Sequence, residues 1–532
     1  MPPITELGQY GVIKDVLPYN LPPNAFSDGD NVRVYEKGME KFLGHVDAFA
    51  DFTGVGLDEK IVQVDPYWLT SLVQDNDAFW VYAGVNDVYS TDGSIQHKIT
   101  RTSGIYCMNT SKGWTGGVMG GVVFLNNGVD TPQQWVSPAV LTDKLTDLSN
   151  WPTGAKCEAL RSFKQFMIAM DYTRGSGETN AGQILPRLFK WSNSASFNSV
   201  PSTWDETDAT QDAGEYELAD TPGRILDGSE LRDAFMIYKE DSVWGAQFIG
   251  PPFIFRFYKI SETTGALGKR CMAEFPNGHF VFGVNDCYIN DGQNLTSVLD
   301  QRDRREVFDN INVGNFNKCF VTPFFLRSEM WACYPTGTHT HPNKAVVWNW
   351  RDNTIGFRDL PDVSFIHQGV SPTITFGGDS PTWAGGSAWD DNLGPWDDSA
   401  TYDPTRANPI MVTPATRQIF IADRTNTFDG TAMIVKLERT GLFFDSIDQV
   451  KMCTGVRISM NSSGPVNVYV GSQFSTDEGV TWEGPFEFDP DTQYKIDCRV
   501  SGRLLAFKIE STTDIGWRLT SYDMEVKFGG RN

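Results

Sequence analysis

Apolar residues in this chain fall in short alternating or aromatic-rich runs and not in the 3.6-residue rhythm of helices. Phe79-Trp-Val-Tyr-Ala83, Phe253-Ile-Phe-Arg-Phe-Tyr258 and Lys344-Ala-Val-Val-Trp-Asn-Trp350 are typical. Each is β-branched or aromatic and is followed within a few residues by Gly, Asn or Asp, the pattern of a strand that ends in a turn. Long capped helical segments are missing from the pattern, so the chain is predicted to be all-β or nearly so.

One local pattern recurs. Gly84-Val-Asn-Asp-Val-Tyr-Ser-Thr-Asp-Gly93 returns as Gly283-Val-Asn-Asp-Cys-Tyr-Ile-Asn-Asp-Gly292, identical at seven of ten positions, and more loosely as Ile419 to Gly430. Each copy predicts a hairpin whose turns need Gly, Asn or Asp at positive φ. Related pairs of runs lie at Val122–Leu125 with Gln133–Trp135, Gln165–Met170 with Arg187–Ser192, Ala234–Trp244, and Trp331–Tyr334 with Val346–Trp350. About seven hairpins between residues 60 and 440 fit four-stranded blades better than a solenoid or a sandwich. The expected architecture is therefore a β-propeller of six to seven blades over 61–440. An extended Pro/Gly-rich arm, 1–60, precedes it. A further β domain follows over 441–532, a small sandwich built from Val456–Met460, Val466–Val470, Tyr494–Cys498, Leu505–Ile509 and Trp517–Phe528.

Composition narrows the function classes. The 532 residues carry 44 Lys+Arg against 67 Asp+Glu, a net charge of −23, which disfavours sequence-independent binding to phosphate backbones. No apolar stretch is long enough for a spanning helix, and the first residues lack a basic start and an apolar run, so a soluble, cytoplasmically made protein without a signal peptide is expected. The eight cysteines (107, 157, 271, 287, 319, 333, 453, 498) form no C-x-x-C pair and read as scattered reduced thiols.

Several motifs carry candidate chemistry. Ser475-Thr-Asp-Glu-Gly-Val-Thr-Trp482 matches the Asp-box of sialidase-like propellers, in which the Asp caps the turn, the Gly takes positive φ and the Trp packs beneath. A sialidase needs several boxes, converging arginines and a Tyr/Glu pair, so this single copy reads as a structural turn. Asp379, Asp390, Asp391, Asp397, Asp398 and Asp403 lie among Trp383, Trp389 and Trp396 with no Lys or Arg. Such a loop could supply oxygen ligands for Ca²⁺ or a sugar-stacking surface, but it lacks EF-hand spacing and also suits a solvated loop between blades. A second acidic run, 204–220, contains Asp205, Glu206, Asp208 and Asp212 and again no basic residue.

Weaker signals add nothing catalytic. Cys333, His339 and His341 lack a fourth metal ligand nearby, and Gly265-Ala-Leu-Gly-Lys-Arg270 lacks the Ser/Thr of a phosphate loop. Arg302-Asp-Arg-Arg305 reads as an ion-paired face, and none of the six histidines adjoins a nucleophile elbow. No catalytic, cofactor-binding or metal-binding residue is assigned; a carboxylate pair for glycoside cleavage stays open among 67 acids.

The segment from Gly11-Val-Ile-Lys-Asp-Val-Leu-Pro through Asn31-Val-Arg-Val-Tyr-Glu-Lys-Gly38 to Gly44 resembles the opening of the tail nozzle proteins of short-tailed phages, the tail tubular protein B family. Asn31, Arg33, Gly38 and Gly44 match the pattern, while Phe26 stands where a Trp is common. Gly502-Arg-Leu-Leu-Ala-Phe-Lys-Ile and Gly516-Trp-Arg-Leu-Thr-Ser-Tyr-Asp-Met-Glu-Val526 resemble the same family's end. In the middle, Gly223-Arg-Ile-Leu-Asp-Gly228 and Ile237-Tyr-Lys-Glu-Asp-Ser-Val-Trp244 share its habits.

The resemblance implies a non-enzymatic virion component, made in the host cytoplasm. A homohexamer would form a tube below the portal and adaptor rings, near tail fibres or tailspikes, gating double-stranded DNA that passes without specific binding. On that reading Asp205, Glu206, Asp208, Asp212 and the acids of 379–403 are candidate lumen, gate or partner-contact positions. Asn31, Arg33 and Gly38 are candidate assembly contacts of the arm. The rivals are a propeller glycosidase or sialidase, and a carbohydrate-binding tail adhesin using Trp383, Trp389 or Trp396.

Overall fold

The computed structural model describes residues 3–48, 66–74, 77–91, 96–135, 142–370, 407–512 and 514–531. The stretch 379–403, with its six candidate acids and three tryptophans, lies outside them. The fold is all-β; Arg304–Phe308 is the sole α-helix among the described residues. No helix there is long and apolar enough to cross a membrane.

Six antiparallel four-stranded meanders follow one another along 68–98, 115–147, 156–217, 225–261, 272–297 and 320–359. A seventh has Phe365–Val370, Ala407–Thr413 and Gln418–Ala422, with the backbone of Ala48 hydrogen-bonded to Ile419 alongside. Their strand order is that of propeller blades. Each of the seven expected hairpins contributes strands to a different meander.

Two compact units emerge, and neither is a continuous stretch of chain: one is 47–258 with 364–421, the other 1–46, 259–363 and 422–532. The expected divisions at 60 and 440 do not coincide with these boundaries, because strands from both chain ends pair with each other.

In the first unit, side-chain alternation explains why the strands read as unbroken apolar runs. In Asp77–Ala83, Trp80 and Tyr82 pack on Ile410, Val412 and Ile419 of the seventh meander. Val81 and Ala83, on the opposite face, pack on Trp114, Val123 and Trp135 at the second. Phe166–Thr173 repeats the device, with Met167 and Ala169 packed among Phe124 and Met119 while Ile168 and Met170 meet Phe235 and Ile237. A strand buried on both faces needs apolar residues at every position.

The repeated sequence makes a repeated turn. Gly84 N–H donates to Asp87 O at 2.8 Å, and Gly283 N–H to Asp286 O at 2.9 Å. Positive φ falls on Gly292 (95°), in the following Asp-Gly turn, and not on Gly283. Gly283 is required by close approach instead, since a Cβ would stand 2.9 Å from Asp286 O.

In the second unit, the sixth meander grows into a nine-stranded sheet. Its last strand, Thr354–Asp359, pairs with Val32–Tyr35, then Gly38–Lys41, Trp517–Arg531, Gln449–Ser462 and Lys495–Gly502 follow in order. A five-stranded sheet, in the order Asp28–Asp30, Val435–Leu442, Leu504–Ser511, Val466–Gln473 and Thr481–Phe488, faces it, with Phe507 stacked on Tyr522 at 4.4 Å. The additional C-terminal β domain thus contains all five expected strands, two unexpected strands (Val435–Leu442 and Thr481–Phe488) and N-terminal segments.

The Pro-rich arm packs on its own chain. Buried Arg439 donates to Pro18 O and Leu21 O, each at 2.9 Å. The Asp15 carboxylate accepts from the backbone of Arg305 (2.5 Å) and Glu306 (3.0 Å), closing the first turn of the helix.

Candidate functional site

The acidic run 204–220, which holds no basic residue of its own, is partly neutralised by cations from elsewhere in the chain. Lys190, fully buried in Ile184–Trp191, lies 2.5 Å from Glu206, 3.3 Å from Glu215 and 3.4 Å from Glu178. Arg174 adds contacts of 2.5 Å to Glu215 and 3.3 Å to Glu206, and the Tyr172 hydroxyl donates to Glu178 at 2.9 Å. Burial alone would raise the Glu206 carboxyl, but the hydrogen bond from Lys190 and both cations hold it below the usual range. Sequence reasoning missed Lys190 and Arg174 because they reach the run across neighbouring strands.

The remaining acids of the run have other roles. Asp205 accepts from the N–H and hydroxyl of Thr207, and Asp208 from those of Thr210. Those bonds lower both carboxyls, which are exposed. The Asp212 carboxylate accepts from the Ser194 hydroxyl at 3.2 Å, and its backbone carbonyl accepts from Trp191 Nε1 at 2.7 Å. That second bond fixes the loop over the Trp191 ring. Gly214 makes the fit possible, because a Cβ there would collide with the indole.

The loop forms one wall of an open cleft of about 610 Å³. Trp191, Tyr216, Phe253, Phe255 and Phe257 line it together with residues 209–213. Tyr216 stacks on Phe257 at 4.4 Å and 9° yet is 45% exposed, so one ring face is covered and the other open. Phe253, at the tip after Pro251-Pro252, is 74% exposed. The strand predicted from the run Phe253–Tyr258 starts only at Phe255, which leaves Phe253 and Ile254 outside it. Phe253 thus stands in water beside the partly covered ring of Tyr216.

The arm residues point inward. Arg33 is 3% exposed, paired with Asp423, 3.4 Å from Glu329 and stacked over Phe42 at 4.2 Å. Arg358 and Arg327 also face Asp423, whose carboxyl stays low: burial would raise it, but the three arginines outweigh burial. At Glu329 burial prevails and the carboxyl is raised, while burial brings Arg358 down to about 10. Asn31 donates to Asp359 and to Ile434 O, both at 2.8 Å. Gly38 pairs with Tyr35 across the hairpin turn. These bonds hold Asn31 and Arg33 within the chain and leave neither side chain a surface for another subunit.

The Asp-box turn differs from its expected mechanics. Ser475 and Glu478 make its local hydrogen bonds, Gly479 does not take positive φ, and Trp482 lies beneath Lys508, whose Nζ is 5.0 Å from the ring. Cys333 is buried in Glu329–Tyr334, whereas His339 bonds Asp362 at 2.7 Å in an exposed loop. Among the described residues no group of three or more His, Cys, Asp or Glu is placed to hold a metal.

No family model and no curated protein matches the chain. Solved structures that resemble it do so distantly. A computationally designed protein, Ika8, aligns at a TM-score of 0.35 and 9% identity over 74% of this chain and 95% of its own. The CNH domain of AfRom2 gives 0.34 and 7% over 68% and 93%. The extracellular domain of a hybrid two-component system of B. thetaiotaomicron gives 0.35 and 9% over 82% and 47%.

Proposed function

We propose that the chain is the tail nozzle subunit of a short-tailed phage, a structural virion protein whose homohexamer conducts and gates DNA below the portal and adaptor rings. One observation carries the reading. The two terminal segments whose sequences resemble that family are neighbours in a single sheet, with Met39 opposite Leu519 and Glu40 opposite Arg518. Segments that resemble one family at opposite ends of a chain are thereby parts of one structural element. The charge of −23 agrees with a wall that DNA slides past, since excess carboxylate repels phosphate.

The candidate lumen acids are now fewer. Glu206 is tied to Lys190, which leaves Asp205 and Asp208 as the exposed carboxylates among the four candidates of that run and the ones suited to repelling DNA. Electron microscopy of the purified chain with its adaptor ring tests assembly; sixfold rings are expected, and a particle that stays monomeric with the adaptor refutes it. In a virion carrying Asp205→Asn and Asp208→Asn, slower DNA ejection is expected. Unchanged ejection removes the lumen assignment of these two residues.

A further inference from the structure

We infer that the cleft between the 209–213 loop and the Pro251–Phe257 segment binds a neutral oligosaccharide. Its lining combines the two features a sugar ring requires. The open face of Tyr216, stiffened from behind by Phe257, and the exposed ring of Phe253 offer flat apolar surfaces to the C–H face of a pyranose. Beside them the lining offers a donor and an acceptor. Gln211 Oε1 accepts from Asn193 at 2.7 Å, which leaves the Gln211 amide nitrogen as a donor. Asp212 Oδ2 accepts from Ser194, which leaves Oδ1 as an acceptor.

A vicinal hydroxyl pair satisfies both groups at once, accepting from the amide and donating to the carboxylate. A proline-rich peptide also suits aromatic grooves, but its prolines have no N–H to donate to Asp212. Anionic sugars are disfavoured by Asp205, Asp208 and Asp212 on the same loop. The site requires neither Trp383, Trp389 nor Trp396. It is independent of the nozzle reading, because ring assembly and saccharide binding are measured separately.

The test is calorimetric titration of the full chain with maltohexaose, cellohexaose and chitohexaose. An oligogalacturonate and a proline-rich decapeptide serve as contrasts. At least one neutral hexasaccharide is expected to bind, with Phe253→Ala and Tyr216→Ala each weakening it about tenfold or more. Asp212→Asn is expected to weaken the same sugar, and the oligogalacturonate to be rejected by the parent. Phe253 is mostly solvent-exposed, so its replacement leaves the melting temperature unchanged and keeps the result interpretable. The inference is overturned if none of the three neutral sugars binds, if binding survives both aromatic replacements, or if only the decapeptide binds.

Discussion

Replacing Asp303 with Asn should make the chain's stability less sensitive to pH. Asp303 is fully buried at the start of the Arg304–Phe308 helix. One carboxylate oxygen accepts from the Lys14 backbone at 2.7 Å, while the other has no hydrogen-bond partner. Burial pushes this carboxyl up to about 7, against the opposing pull of Lys14. A folded-state value above the unfolded one means that folding favours the protonated acid. Its stabilisation is complete below about pH 4 and is lost as pH rises through about 7. A difference of about three pKa units corresponds to roughly 4 kcal/mol at most. Asn keeps the acceptor for Lys14 and does not ionise, so its own cost does not vary with pH. Urea unfolding of parent and Asp303→Asn, followed by near-UV circular dichroism between about pH 4 and about pH 8, reads the difference. The variant should gain on the parent steadily across that range. A difference that stays flat would show that Asp303 ionises as an ordinary surface carboxyl.

Three further outcomes follow from other packing features. Lys190→Met leaves Glu178, Glu206 and Glu215 facing Arg174 alone and should destabilise the chain by about 3–5 kcal/mol in urea unfolding; a loss below about 1 kcal/mol contradicts the buried cluster. Glu36 and Lys37 both take positive φ (45° and 65°) in the two-residue turn before Gly38, so Lys37→Gly should stabilise by about 1 kcal/mol and raise the melting temperature. The sulfurs of Cys453 and Cys498 lie 3.7 Å apart, so diamide should take up their two hydrogens and close a disulfide, lowering the thiols alkylated after denaturation from eight to six; all eight remaining alkylatable refutes it.

The meanders were legible in the sequence because each is local. A run such as Phe166–Thr173 and its partner Lys156–Phe163 are joined by a tight turn, and apolar residues on both faces signal burial between sheets. The five strands of the C-terminal domain were visible for the same reason. What escaped was long-range pairing: nothing local at Val32–Tyr35 indicates that the next strand is Thr354–Asp359. The cations behind the acidic run were hidden likewise, since Lys190 is one of two charges in an ordinary strand pattern and nothing local shows that it is buried. The cleft left a faint signal. Pro251-Pro252 interrupts a strand-like run just before Phe253, and Gly214 stands where a strand would otherwise carry a side chain.

The sheet shared by the two chain ends sets a timetable for synthesis. Gly38–Lys41 leaves the ribosome near the start, and Leu519, the partner of Met39, arrives 480 residues later. At translation rates of about 5–20 residues per second, the hairpin waits roughly 25–100 s for its neighbour. Throughout that interval one edge of the hairpin is unpaired and is a template for another nascent chain. Glu40 and Lys41 give that edge charges of both signs, a guard against wrong partners until its neighbour is made.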